Sequence, residues 1–137
     1  MTQPLEFKDL WTAGGVLLGF EVAALSWRVT QESKRGAQND ITWLPPADFL
    51  NLLAMGSTAV GIFILPALDM LTVRAVRLVF GLSALLFVGH AFAIVGHYDM
   101  YNWRTPRSMN YFPCQEKVAV AATVLAVLGY MVLAFYR

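Results

Sequence analysis

The sequence predicts an all-α integral membrane protein in which four transmembrane helices form an antiparallel up-down bundle with two long loops on one side. Three observations point there. Of its 137 residues, 58% are hydrophobic and only 14% charged, where a soluble domain has about a quarter of its residues charged. Four apolar stretches each approach the length of about 20 residues that a helix, rising about 1.5 Å per residue, needs to cross a hydrocarbon core about 30 Å thick. These stretches are also too long and too uniformly apolar for barrel strands, which leaves helices as the form that satisfies its own backbone in lipid.

The first helix is expected over 10–27, closed by Arg28. The segment before it sets Lys8 against Glu6 and Asp9, so it lacks the positive charge of a secretion signal. Glu21 would interrupt that signal's apolar centre, and the segment reads as a retained helix. The second helix is expected over 49–68, opened by Pro45, Pro46 and Asp48, residue types that suit a helix start. The third runs over 78–96 after Arg74 and Arg77, and the fourth over 118–136 before Arg137.

The connections are unequal. Residues 28–48 and 97–117 make two links of about twenty residues each, whereas 69–77 is a short turn. The polar run Gln31 to Asp40 reads as a loop, and Trp43 to Pro46 as a segment at the lipid headgroups. The aromatic run Tyr98 to Trp103 is expected to fold over the bundle end or against a partner. No internal repeat relates the helices, so an inverted-repeat transporter plan is not supported. The whole chain reads as a single domain.

An even helix count puts both termini and the short turn on one side. That side holds Lys8, Arg74, Arg77 and Arg137, against Arg28, Lys34, Arg35, Arg104, Arg107 and Lys117 on the other. Totals favour the long loops inside. Density favours the reverse: two arginines crowd the short turn, and the long loops carry Trp43, Tyr98, Tyr101, Trp103, Tyr111 and Phe112, an interfacial aromatic set. We read the termini as cytoplasmic.

Several functions are excluded or unsupported. A formal charge of +1 provides no basic field for nucleic acid. One cysteine, Cys114, allows no internal disulfide. No Cys-x-x-Cys, nucleophile elbow, phosphate-cradling loop or His-Glu-x-x-His run occurs. His90 and His97 are separated by about 10 Å of helix rise, too far to share one ion at bonds of about 2 Å. Haem would need a second axial residue that no other helix supplies at that depth. The sequence assigns no metal and specifies no cofactor.

The polar residues of the helices recur every seven positions: Gly14, Glu21 and Arg28; Asn51 and Thr58; Ser83, His90 and His97; Glu116, Thr123 and Tyr130. Such stripes are expected to face the bundle interior, because lipid penalises each charged group by a few kcal/mol. Glu21, His90 and Thr123 should lie at one depth, about 10 Å from the long-loop surface by helical rise, with Asn51 above them and His97 at the rim. This predicts a polar pocket of Glu21, Asn51, Thr58, Ser83, His90, His97 and Thr123 open to the long-loop side. Within it, Glu21 and His90 form either a proton-handling or ligand-binding pair or a hydrogen bond that holds helix register. Trp27, Trp43, Tyr98 and Trp103 would lie near its mouth and, with Tyr101, make up the loop and interface aromatics.

Small residues spaced by four, including Gly15 with Gly19 and Gly89 with Ala93, permit close helix approach within the chain or against another subunit. The helix count and the first-helix carboxylate resemble the small multidrug transporters in architecture alone; their motifs are not matched residue by residue, and the loops here are longer. The expected function is a non-catalytic accessory or structural subunit of a larger membrane complex, in contact with lipid and with other membrane subunits or copies of itself. The alternatives are a small proton-coupled transporter or channel using Glu21 with His90, and a binder of quinone, lipid or pigment.

Overall fold

The computed structural model describes residues 6–39, 44–102 and 111–136. Among these, four helices are long and apolar enough to cross a membrane: α1 (Phe7–Asn39), α2 (Pro46–Thr58, with the turns that continue it), α3 (Val73–His97) and α4 (Cys114–Tyr136). Trp43, Trp103 and Arg137 lie outside the described residues.

The first boundary differs most from expectation. α1 has 33 residues, about 50 Å at about 1.5 Å per residue, well beyond a hydrocarbon core of about 30 Å. The polar run from Gln31 is therefore helix, not loop, as far as Asn39. Gln31, Glu32, Lys34, Arg35, Ala37 and Gln38 are all good helix formers, and no proline intervenes before Pro45. Loss of hydropathy marked where the apolar stretch ends, not where the helix ends.

α2 begins at Pro46 with Pro45 as its cap residue, since proline's fixed φ and missing N–H cost nothing in a first turn. It continues through a π-helical stretch, Ala59–Ile64, and a last helical turn, Leu65–Ala67. Pro66 accounts for this widening. A proline inside a helix removes one hydrogen bond and pushes against the carbonyl four residues back. Here the N–H of Leu65 reaches back to Val60 instead, a five-residue step that opens the ladder next to the proline.

Helix ends are closed by their own chemistry. Asp69, at φ 56°, and Asp99, at φ 52°, take the left-handed conformation after α2 and α3. In each case the next residue donates back to the helix: Met70 to Leu65 at 2.9 Å and Met100 to Val95 at 3.1 Å. Both are Schellman closures, with aspartate where glycine is commoner. At the start of α3 the Thr72 side chain accepts from the Ala75 N–H at 3.3 Å. Thr72→Ala is expected to lower stability by about 1 kcal/mol, measurable as a shifted unfolding midpoint in detergent.

α2 and α3 are the central pair. α1 packs on both, and α4 packs on α3 and more lightly on α2. The α2–α3 seam holds Ala47, Leu50, Ala54, Leu86 and Ala93, and a second cluster of Leu10, Ile62 and Val76 closes the other end. Close approach comes from glycines facing neighbours: a Cβ on Gly61 would stand 2.6 Å from Val79 Cγ1, and one on Gly96 would stand 2.7 Å from the Gln115 backbone. Gly89 lies against Thr123, with Ala93 fully buried one turn on. Gly15 and Gly19 are not packing positions within the chain. Both are exposed, a Cβ on Gly15 would reach only Phe63 at 4.0 Å, nothing lies within 4 Å of one built on Gly19, and the closely packed glycine of α1 is Gly14, against Ile62.

Candidate functional site

The polar stripes are buried. Glu21, Asn51, Thr58, Ser83 and Glu116 are fully inaccessible; Arg28 is 1% exposed, His90 3%, His97 8% and Thr123 8%. They form two groups at different heights rather than one open pocket.

The upper group is built around the start of α2. Arg28 on α1 extends its Nε to Asp48, 3.0 Å from Oδ1 and 3.2 Å from Oδ2. Its Nη2 donates to Glu32 Oε1 at 3.0 Å and its Nη1 to the Tyr98 hydroxyl, whose ring also lies under the guanidinium. One cation is thereby shared by two carboxylates and a phenol, the fork geometry that suits arginine. Ala47, one residue before Asp48, is held from both sides. Its N–H donates to Glu116 Oε1 at 2.8 Å, while its carbonyl lies 3.0 Å from His90 Nδ1. The other oxygen of Glu116 lies 2.8 Å from His97 Nδ1.

Elementary electrostatics explains the placement. The N-terminus of a helix carries unsatisfied N–H groups and about half a positive charge, so carboxylates are stabilising there. Asp48 supplies one from within α2 and Glu116 supplies another from α4. Because a carbonyl can only accept, the bond to Ala47 places the proton of a neutral His90 on Nδ1.

The lower group lies between α1, α2 and α3. Asn51 Nδ2 donates to the backbone carbonyl of Glu21 at 2.8 Å, and the Thr58 hydroxyl donates to Glu21 Oε1 at 3.1 Å. Among the described residues three buried side-chain oxygens have no hydrogen-bond partner: Glu21 Oε2 and Asn51 Oδ1 in this group, and Ser83 Oγ on α3. Thr123 belongs to neither group; its hydroxyl returns to Ala119 of its own helix at 2.8 Å.

No protein-family model, curated protein or solved structure matches the chain. What the site does must therefore be read from its own geometry.

That geometry corrects several sequence readings. Glu21 and His90 do not pair: Glu21 is tied to Thr58, and His90 to Ala47 with Asp48 at 3.8 Å. The expected common depth does not hold, because His90 meets Ala47 at the start of α2 whereas Glu21 meets Asn51 and Thr58 farther along it. The predicted opening to the long-loop side is filled by Arg28, Asp48 and Tyr98. His97 is no free rim residue but the partner of Glu116. Trp27 is 52% exposed and borders a groove of about 240 Å³ between α1 and α3, whose wall includes His90 and Phe87. Tyr101 folds back on α3, its hydroxyl donating to the Phe92 carbonyl at 2.7 Å and its N–H to Gln115 Oε1 at 3.0 Å.

Asp48, Arg28, Glu32 and Glu116 were missing from the predicted pocket. Glu116 stood in a seven-residue stripe with Thr123 and Tyr130, which is the signal that could have found it. Arg28 likewise stood in a stripe with Gly14 and Glu21 but also closed the first helix, Asp48 read as helix punctuation, and nothing in their spacing showed that two helix ends meet. Among the described residues no three His, Cys, Asp or Glu side chains are grouped as for a metal ion.

Proposed function

We propose that this chain is a non-catalytic subunit of a larger membrane assembly and that α4 is its docking helix. One observation carries the reading. α4 leans on α3 and buries only Glu116 and Thr123, while Val118, Leu125, Leu128, Leu133 and Phe135 face outward. Beside it, between α3 and α4, runs a groove of about 570 Å³ lined by Val88, Phe92, Val118, Ala119, Ala122 and Ala126 among others. Small residues on one wall let a neighbouring helix come close. The upper polar group supports the same reading, since its charges are committed to one another, as suits a rigid support. We further propose the up-down arrangement with both longer connections on one membrane face and the termini in the cytoplasm.

Cys114 is exposed and lines this groove, and as the chain's sole cysteine it is a specific handle. A photo-crosslinker attached there, activated in the native membrane, is expected to capture another membrane subunit or a second copy of the chain, identified by mass. Adducts with lipid alone would overturn the docking reading.

The proton-coupled carrier is the second reading, favoured by the unpartnered carboxylate oxygen of Glu21. Glu21→Gln in reconstituted vesicles separates the two: a carrier loses coupled transport, while a subunit keeps its partners.

A further inference from the structure

The lower polar group contains more acceptors than donors. Asn51 is fixed by its bond to the Glu21 carbonyl: turning the amide over would set oxygen against oxygen, so Oδ1 is the atom left without a partner. Thr58 has one O–H and gives it to Glu21 Oε1. Glu21 Oε2 and Asn51 Oδ1 are therefore both bare acceptors, and the buried hydroxyl of Ser83 on α3 is likewise uncommitted.

The three residues belong to one level of the bundle. Glu21 holds Asn51 with its backbone and Thr58 with its side chain, so it lies between them along α2. Ala47 meets His90, and Gly61 meets Val79. By that register Ser83 falls between the two contacts, opposite the stretch of α2 that ends at Thr58. Each of the three helices thus contributes one fully buried, unpartnered oxygen.

What is missing is positive charge. A buried carboxylate without a counter-ion is strongly disfavoured in a membrane interior, and a neutral donor alone leaves that charge standing. The upper group cannot supply it, because Arg28 is already shared by Asp48, Glu32 and Tyr98. The titratable groups on the elements facing Glu21 are Asp48 on α2 and Arg74, Arg77, His90 and His97 on α3; Asp48, His90 and His97 lie nearer the long-loop end, and Arg74 and Arg77 are exposed in the first turns of α3. On α4 the nearest carboxylate, Glu116, is bound to His97 and Ala47.

We propose that Glu21, with Asn51 and Ser83, forms a site for one monovalent cation, either a proton on Oε2 or a sodium ion held by oxygens alone. Every donor atom is a hard oxygen, the set that suits such cations and not soft transition metals. One carboxylate matches one positive charge. This site stands apart from the α4 docking face and does not depend on it.

The test is labelling of the purified full-length protein in lipid nanodiscs with dicyclohexylcarbodiimide, which enters apolar regions and reacts with protonated carboxyls. Labelling is followed by peptide mass spectrometry across a pH series, in sodium chloride or choline chloride. Glu21 is expected to label, and Asp48 and Glu116, equally buried but paired, to remain unlabelled. If sodium protects Glu21, the cation is sodium; if sodium has no effect and labelling slows as pH rises, it is a proton. Asn51→Ala and Ser83→Ala should each alter the rate or its sodium protection. Glu21→Gln, whose amide supplies a donor in place of the cation, should fold as the wild type does, as read by circular dichroism and size exclusion, and label nowhere in α1. Absence of Glu21 labelling in both salts, or labelling indifferent to both Asn51 and Ser83, would overturn the site.

Discussion

Asp48→Ala is expected to destabilise the protein by about 3–5 kcal/mol, the cost of leaving a buried charge without its partner. Arg28 is 1% exposed, and Asp48 engages it with both oxygens. In the variant the guanidinium keeps Glu32 and Tyr98 but loses the carboxylate that holds α1 against the start of α2. A second loss follows at the same point, since Asp48 also offsets the positive end of the α2 dipole. Replacing both partners with apolar residues of similar size, Arg28→Met with Asp48→Leu, should recover most of the loss, because no buried charge is then stranded. Reversible unfolding in mixed micelles, followed by tryptophan fluorescence, gives all three values. A double variant no more stable than Asp48→Ala would show that the pair does more than cancel its own charges.

How much of this was legible in the sequence differs by level. The four spans could be read from hydropathy because lipid imposes one length on every crossing helix. The extension of α1 to Asn39 could not, since the apolar stretch ends before the run of good helix formers does. The π-helical stretch had a visible cause in Pro66, but a proline marks a break without specifying whether the helix kinks, widens or ends. At the site, seven-residue spacing identified which residues turn inward. It could not identify partners. Glu21 and His90 were expected at one depth, yet Glu21 bonds to Asn51 and Thr58 while His90 bonds to Ala47, nearer the start of α2, because the offset between neighbouring helices depends on how they pack. Arg28, Asp48 and Glu116 are helix-end residues in sequence and a joined cluster in space for the same reason.

Gly96→Ala is expected to be strongly destabilising for a single added methyl. The added carbon would sit 2.7 Å from the Gln115 carbonyl carbon and 2.8 Å from both its oxygen and the Glu116 nitrogen. These are backbone atoms in the first turn of α4, so no side chain can rotate out of the way and the helices must separate. Overpacking of this kind costs about 1–3 kcal/mol. Here it also strikes the hinge of the upper group, because moving Glu116 breaks its bonds of 2.8 Å to His97 and 2.8 Å to the Ala47 N–H. A buried donor left unsatisfied adds about 1–3 kcal/mol more. Gly14→Ala should cost less, since its obstacle at 2.8 Å is Cγ2 of the Ile62 side chain and not backbone. Gly19→Ala, with nothing within 4 Å, should be neutral or slightly stabilising through helix propensity. Unfolding midpoints for the three variants in one detergent should therefore rank Gly96 far below Gly14, and Gly14 below Gly19. Equal midpoints for Gly96→Ala and Gly19→Ala would mean that α3 and α4 do not meet at Gly96, and the link from His97 through Glu116 to α2 would fall with that contact.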